Sequence, residues 1–154
     1  MEVAESSLIK ALIVDDEVLA RNRIREILKK DSEIQLVGEC ANGREALDAI
    51  LEHAPHLLFL DVQMPEMDGF AVLEALPPER LPAVIFVTAF DQYALRAFEV
   101  YALDYILKPF DRERFADALQ RARRQIEREE TGDLGRRLLA LVKQDAVVRV
   151  QKEP

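Results

Sequence analysis

The chain has 154 residues, of which 49% are hydrophobic and 32% charged, and its formal net charge is −8 at pH 7. This length suits one well-buried domain with a short remainder, and no apolar run approaches the length of a membrane span. The first residues lack the basic start and apolar core of a secretory signal, and the single cysteine, Cys40, has no partner for an internal disulfide. We therefore expect a cytoplasmic protein.

The charge is distributed unevenly along the chain. Residues 1–111 hold 10 Lys and Arg against 21 Asp and Glu, whereas residues 112–154 hold 11 against 8. Direct binding to nucleic acid needs clustered basic side chains that neutralise phosphates. We therefore do not expect the acidic part of the chain to bind DNA by itself.

The first sixty residues alternate between strand patterns and helix patterns. Residues 8–14 form a mostly apolar run that predicts a strand, and apolar residues at helical spacing over 18–28 predict the helix after it. Residues 34–40 alternate in polarity as a more exposed strand does, and a second helix is predicted over 46–51. Residues 57–60 are apolar at every position, which suits a strand that is buried on both faces.

The same alternation continues in the second half of the chain. Helical patterns cover residues 70–76 and 91–100, strand patterns cover 83–87 and 103–107, and Asp111 is placed to cap a long polar-faced helix. Because strand and helix alternate five times, we predict an α/β fold, a doubly wound five-stranded parallel sheet with helices on both faces.

Polar side chains follow four of the predicted strands. They are Asp15 and Asp16 after the first strand, Asp61 after the third, Thr88 after the fourth and Lys108 after the fifth. Right-handed crossovers bring the carboxyl ends of parallel strands to one edge of the sheet, so we expect these side chains to lie close together. Two other interpretations stay open at this point: Asp61 starts a turn, and the first acids cap the helix over 18–28.

This group of side chains has a recognisable chemistry. Three carboxylates at one edge repel one another, by about 4 kcal/mol per pair at ~4 Å and an effective dielectric of about 20. A few solvent-open oxygen ligands suit Mg²⁺ that is held partly by a phosphate, and Lys108 offers a positive charge to the same phosphate. The chain has no GxxxxGK[ST] loop for a nucleotide, whereas an aspartate can itself accept a phosphoryl group.

Four motifs together resemble one known family. They are Asp15-Asp16, Asp61 with Met64-Pro65-Glu66-Met67-Asp68-Gly69, Thr88-Ala89, and Lys108-Pro109-Phe110. In combination they resemble the receiver domain of two-component response regulators, and the match covers roughly residues 8–128. The resemblance implies a flavodoxin-like sheet with strand order 2-1-3-4-5.

The resemblance also implies a phosphoacceptor and its metal. Asp61 would accept a phosphoryl group from a phosphohistidine on a sensor histidine kinase. The implied cofactor is Mg²⁺, held by Asp16, Asp61 and the backbone carbonyl of Gln63, with Asp15 acting mainly through water.

The remaining motif residues would bind the phosphoryl group and respond to it. Lys108 and Thr88 would bind its oxygens, and the Lys108–Pro109 peptide bond would be cis. Thr88 would swing towards the phosphoryl group, and Tyr105, at the aromatic switch position of the family, would turn inward to fill the vacated space. The alternative for Tyr105 is an amphipathic residue at the rim of the domain.

Residues 94–110 look more particularly like the receivers that precede a LytTR-type DNA-binding domain. We expect a receiver domain over residues 1–128 and a helical linker or extension over 129–154 that leads to an effector domain absent from this chain. DNA would then be bound only through that effector domain. The alternative, a natural single-domain receiver with a helical extension, stays open.

An apolar stripe recurs in the C-terminal extension, at Leu134, Leu138, Leu141 and Val142. A short helix is not stable alone in water, so this stripe packs either on its own receiver or on a partner. We favour a homodimer through the 134–142 helix or through the face formed by residues 91–130. No contact with a membrane is expected.

Two other functions were weighed. A Mg²⁺-dependent phosphohydrolase would use Asp61 as nucleophile, but such enzymes usually need a second acid where Gln63 stands. A phosphate-independent binding module is disfavoured because every acceptor-site residue is intact. We therefore expect a signalling phosphoacceptor and not an enzyme, apart from slow self-catalysed phosphorylation and dephosphorylation. Gln63 and Phe90 flank the expected path of attacking water.

Overall fold

The computed structural model describes residues 8–129 together with residues 138 and 141. The chain divides into two compact units, Met1–Ala122 and Arg123–Pro154. Most of the stripe predicted over 134–142 lies outside the described residues; Leu138 and Leu141 are helical and largely exposed. The domain boundary at residue 128 stays a prediction.

Strands and helices alternate throughout the described part of the first unit. The strands are β1 (Ile9–Val14), β2 (Ile34–Cys40), β3 (Leu57–Leu60), β4 (Ala83–Thr88) and β5 (Asp104–Leu107). The helices are α1 (Val18–Leu28), α2 (Gly43–His53), α3 (Gly69–Glu74), α4 (Ala94–Glu99) and α5, which begins at residue 112 and is described to residue 129; a 3-10 turn covers Pro78–Arg80. None of the described helices is both long and apolar enough to cross a membrane.

The five strands form one parallel sheet in the order β2-β1-β3-β4-β5. This order confirms the doubly wound, flavodoxin-like fold. All four side chains of β3 are buried at the centre of the sheet, as its uninterrupted apolar run predicts. The edge strand β2 has one buried residue, Cys40, and six half-buried ones, which agrees with its alternating polarity.

Helices cover both faces of the sheet, because successive strand side chains point to opposite sides. On one face, strand residues such as Leu60 join side chains of α2, α3 and α4 in a single apolar cluster. On the other face, Phe59 stacks on Phe115 of α5 with ring centroids 5.2 Å apart, and Phe115 stacks on Phe110 at 5.3 Å. Arg23 of α1 covers the Phe110 ring at 5.0 Å and donates to the Phe110 carbonyl.

Two helices begin at residues other than those predicted. α4 begins at Ala94 and not at residue 91, because the preceding residues form a turn in which the Asp91 carbonyl accepts from the Ala94 N–H and Tyr93 has φ −100° and ψ 3°. α2 begins earlier than predicted, at Gly43, because the Asn42 side chain caps it by accepting a backbone N–H bond of 2.9 Å. The Asn42-Gly43 pair therefore starts a helix.

Candidate functional site

The parallel register places the ends of β1 and β3 side by side. Val14 pairs with Leu60, so the residues that follow them, Asp15 and Asp61, are neighbours at the carboxyl edge of the sheet. The Asp61 N–H donates to the Val14 carbonyl at 3.0 Å, which extends the pairing by one residue. Both carboxyl side chains are buried, with Asp15 1% and Asp61 4% exposed. Strand pairing alone therefore brings two acids into one pocket.

Two exposed acids complete the cluster. Carboxylate oxygens of Asp15, Asp16, Glu17 and Asp61 all lie within 4.8 Å of one another. Glu17 stands at the start of α1, yet no side chain caps this helix. Asp15 instead accepts the Glu17 N–H at 2.9 Å. The acids after β1 therefore face the cluster, and helix capping does not explain them.

Lys108 reaches the same cluster from the end of β5. Its Nζ lies 2.7 Å from Oδ2 of Asp15, 3.2 Å from Oδ2 of Asp61 and 3.3 Å from Oε1 of Glu17. Four carboxylates with one ammonium leave three excess negative charges. Each like-charged pair at this 4.8 Å limit costs about 3 kcal/mol for an effective dielectric of about 20. The arrangement therefore favours a further cation.

Burial and charge shift two pKa values in the cluster. Burial raises the pKa of Asp15, and the hydrogen bonds from Lys108 and from the Glu17 N–H offset this only in part. For Lys108, burial favours the neutral amine, but hydrogen bonding to Asp15 and the charges of Asp61 and Asp15 outweigh burial, so its pKa is raised. Lys108 is therefore charged at neutral pH.

One oxygen of Asp61 has no partner. Its Oδ2 accepts from Lys108, whereas no donor among the described residues reaches the buried Oδ1. A buried polar oxygen without a hydrogen bond is costly, and native structures contain few of them. A cation or a covalently attached group at Oδ1 would remove this cost.

Thr88 and Tyr105 are linked through the loop after β4. Thr88 is fully buried and its Oγ1 accepts from the Phe90 N–H at 3.4 Å. The Tyr105 hydroxyl donates to the Phe90 carbonyl, and its ring lies 6.1 Å from the Phe86 ring. Burial raises the pKa of Tyr105, while the Tyr93 backbone N–H lowers it in part. Tyr105 thus packs against the core with Asp61 unmodified.

Gln63 makes a contact that sequence reasoning missed. This exposed residue follows β3, and its Nε2 donates to the Tyr93 hydroxyl at 2.8 Å. Both residues line, with Asp16, a cavity of about 430 Å³. The sequence placed Tyr93 on a helix, and no local pattern signals a pair that is 30 residues apart.

The motif after Asp61 folds the loop tightly beneath the site. The Asp68 side chain caps α3 by accepting the Ala71 N–H at 2.8 Å. The Gly69 N–H donates to the Val62 carbonyl at 2.8 Å, and a Cβ on Gly69 would lie 2.5 Å from the Asp61 carbonyl oxygen. Glycine is therefore required by close approach of the backbone.

The Lys108–Pro109 peptide bond is cis, as the resemblance implies. The structure brings Asp15, Asp16, Asp61 and Lys108 together in one cluster, and it places Thr88 at the end of the strand between β3 and β5. Glu17 joins them through Lys108, although the sequence offered it only as a helix-capping acid.

Comparison with known proteins agrees with this geometry. The family profile for the response regulator receiver domain matches residues 11–120. The transcriptional regulatory protein BtsR of Escherichia coli (strain K12) is 48% identical over 118 residues, which cover 77% of this chain and 49% of that protein. The chain spans about half the length of the curated relatives it matches.

Solved receiver structures share the fold. The REC domain of AraT, a response regulator from Geobacillus stearothermophilus, has a TM-score of 0.72 and 34% identity, covering 80% of this chain and 98% of that one. The response regulatory domain of mrkE from Klebsiella pneumoniae has a TM-score of 0.70 and 30% identity, covering 77% of this chain and 98% of that one. The profile match, these likenesses and the sheet order together show that the chain belongs to the response regulator receiver domain family.

Proposed function

We propose that Asp61 accepts a phosphoryl group from a phosphohistidine on a sensor histidine kinase, with Mg²⁺ as cofactor, and that this controls a transcription-regulating output domain. The observation that carries the proposal is the buried pair Asp15 and Asp61, joined by Lys108 and with one Asp61 oxygen unpartnered among the described residues. A carboxylate in such a position is a nucleophile whose charge is balanced without being blocked.

The donor set of the cluster fits Mg²⁺. All its ligand atoms are hard oxygens, and Asp16 opens onto a cavity of about 430 Å³ that leaves room for water and a phosphate. Asp16, Asp61 and the backbone carbonyl of Gln63 would hold the ion, with Asp15 acting through water. When bound, Mg²⁺ supplies positive charge that offsets the excess carboxylate charge and that of the incoming phosphoryl group.

The transfer uses Asp61 as the nucleophile. A carboxylate oxygen of Asp61 attacks phosphorus, and a P–O bond forms while the P–N bond to the donor imidazole breaks. The imidazole leaves with the electron pair of that bond. Lys108, already within 3.2 Å of Asp61 Oδ2, then binds a phosphoryl oxygen through a charge-assisted hydrogen bond.

Output control follows from a change of partners at Thr88. A phosphoryl group adds up to about two negative charges and three strong acceptors. When Thr88 donates to it, its Oγ1 leaves the Phe90 N–H; the Phe90 carbonyl also holds Tyr105, so the loop passes the change to the switch residue. Moving an equilibrium from 1:99 to 99:1 takes about 5.5 kcal/mol, and new bonds at Lys108 and Thr88 supply energy of this order.

The output belongs to a LytTR-type DNA-binding domain beyond a receiver over 1–128 and a helical linker over 129–154. Support comes from the identity with a transcriptional regulator and from the subfamily pattern over residues 94–110. We place the protein in the cytoplasm, as a homodimer through the 91–130 face or the 134–142 helix. It acts as a signalling phosphoacceptor and not as an enzyme.

The test is intact mass spectrometry after incubation with Mg²⁺ and acetyl phosphate, beside an Asp61→Asn variant. We expect the wild type, and not the variant, to gain one phosphoryl group, and the gain to disappear when the metal is chelated. No gain, with Mg²⁺ binding confirmed separately, would instead favour a phosphate-independent binding module. Rapid multiple turnover of the donor would favour a phosphohydrolase.

A further inference from the structure

A side-chain hydrogen bond joins the two loops that flank Asp61. Gln63 lies two residues after Asp61, and Tyr93 lies in the turn before α4. Their side chains meet at 2.8 Å, and both line the cavity of about 430 Å³ onto which Asp16 opens. Since the Asp16 carboxylate lies within 4.8 Å of that of Asp61, this cavity is an approach to the acidic cluster. The Gln63–Tyr93 pair bridges that approach.

The Tyr93 side of the bridge is held firmly. Its ring packs against Phe70 and Phe90, with centroid distances of 6.3 and 6.4 Å. Phe70 is itself buried and lies beneath the Arg96 guanidinium at 4.2 Å. Gln63, by contrast, is exposed, and an exposed glutamine keeps its rotamer freedom unless a hydrogen bond restrains it. The Tyr93 hydroxyl is therefore the atom that restrains the Gln63 amide.

We propose that Tyr93 is a positioning residue that holds the Gln63 amide across the approach to Asp61, and so slows both the entry of small phosphodonors and the attack of water. This inference rests on the proposed phosphoacceptor function. It concerns the rate at which the aspartyl phosphate of Asp61 forms and decays, which the acidic cluster alone does not determine.

Both reactions use the same side of phosphorus. In phosphorylation by acetyl phosphate, an Asp61 oxygen attacks phosphorus and acetate leaves on the opposite side with the electron pair. In hydrolysis, a water oxygen attacks from that opposite side, the bond to Asp61 breaks, and the carboxylate keeps the electron pair. The water proton passes to the phosphate or to solvent. A restraint on this side therefore changes both rates in the same direction, whereas a shift in a conformational equilibrium favours one state over the other.

The test variant is Tyr93→Phe, which removes the hydroxyl and keeps the packed ring. Intact mass would follow phosphorylation by acetyl phosphate with Mg²⁺, and then decay after the donor is removed. We expect both rates to rise about two- to tenfold, the equivalent of one net neutral hydrogen bond. The affinity for Mg²⁺, measured by titration calorimetry, and the melting temperature are expected to stay as in the wild type.

Two further variants make the result specific. Tyr101→Phe removes the same atom from a side chain that is 91% exposed, and we expect wild-type rates. Gln63→Ala is expected to match Tyr93→Phe, and the double variant to be no faster than Gln63→Ala, since Tyr93 acts through Gln63.

Unchanged rates in Tyr93→Phe, opposite changes in the two rates, or additive effects in the double variant would overturn the role of Tyr93. A wild type that gains no phosphoryl group would overturn the proposed function and this inference with it. A wild type that is phosphorylated, beside an unaltered Tyr93→Phe, would overturn this inference alone.

Discussion

Replacing Gly69 with alanine tests how closely the backbone beneath Asp61 is packed. A Cβ at this position would lie 2.5 Å from the Asp61 carbonyl oxygen, whereas ordinary contacts begin at 3.4 Å. The carbonyl would have to retreat by about 1 Å, as for other atoms inserted into a well-packed site. Because the obstacle is backbone and not the end of a flexible side chain, the loop that carries the nucleophile must itself move.

The size of the effect follows from two opposing contributions. Inserting a methyl group into a packed site costs about 1–3 kcal/mol, whereas replacing glycine by alanine stabilises by about 0.4–1 kcal/mol through the unfolded chain. We expect a net loss of about 1–2 kcal/mol in the free energy of unfolding. A displacement of about 1 Å at the nucleophile slows phosphorylation by up to roughly 100-fold.

The assays are urea unfolding followed by circular dichroism, and phosphorylation followed by intact mass. Gly43→Ala is the matched control, since its Cβ would meet the Met67 side chain at 2.8–2.9 Å, away from Asp61. We expect both variants to be less stable, and only Gly69→Ala to be phosphorylated much more slowly. Equal phosphorylation rates in the two variants, or a Gly69→Ala midpoint at or above that of the wild type, would refute the reasoning.

Three other expectations concern groups with clear environments. Burial opposes the charge of Asp104, but Arg114 and Arg121 outweigh it and lower its pKa below the ordinary 3.8, so its stabilisation is complete above that pH and is lost as the pH falls through the lowered value; urea midpoints measured in acid should therefore fall less steeply in Asp104→Asn, and parallel curves would contradict this. Burial raises the pKa of Cys40 to about 11 from 9.0, so iodoacetamide should label the native thiol at least about 100-fold more slowly than the unfolded one, and fast native labelling would count against its burial. Thr88→Ala should still gain a phosphoryl group but shift less towards dimer in light scattering; an unchanged shift would remove Thr88 from the switch.

Sequence patterns predict an element best where its burial is extreme. The four apolar residues of β3 lie between two strands and under helices on both faces, so composition and structure agree. The pattern before β5 was less informative. The spacing of Ala97 and Phe98 suggests one buried side, yet Ala97 is buried and Phe98 is 78% exposed. A six-residue helix depends on packing more than on period, which explains why α4 is shorter than predicted.

The site was predictable to the extent that it follows from topology. Asp61 and Lys108 occur directly after strands, and parallel strands end at a common edge. The contacts made by Glu17 and by the Gln63–Tyr93 pair depend on how loops fold over that edge. Loop conformation has no periodicity in the sequence, so these contacts required the structure.

The position of Lys108 makes the site depend on completion of the sheet. β5 is separated from β3 by β4, so the lysine side chain extends across roughly 10 Å of sheet, while its backbone N–H donates to the Thr88 carbonyl at 2.8 Å. During synthesis the acids emerge long before residue 108, and until the edge strand docks they have no ammonium between them. Readiness to receive a signal therefore reports that the last strand is in place, and a chain whose edge has come loose is silent until it closes again.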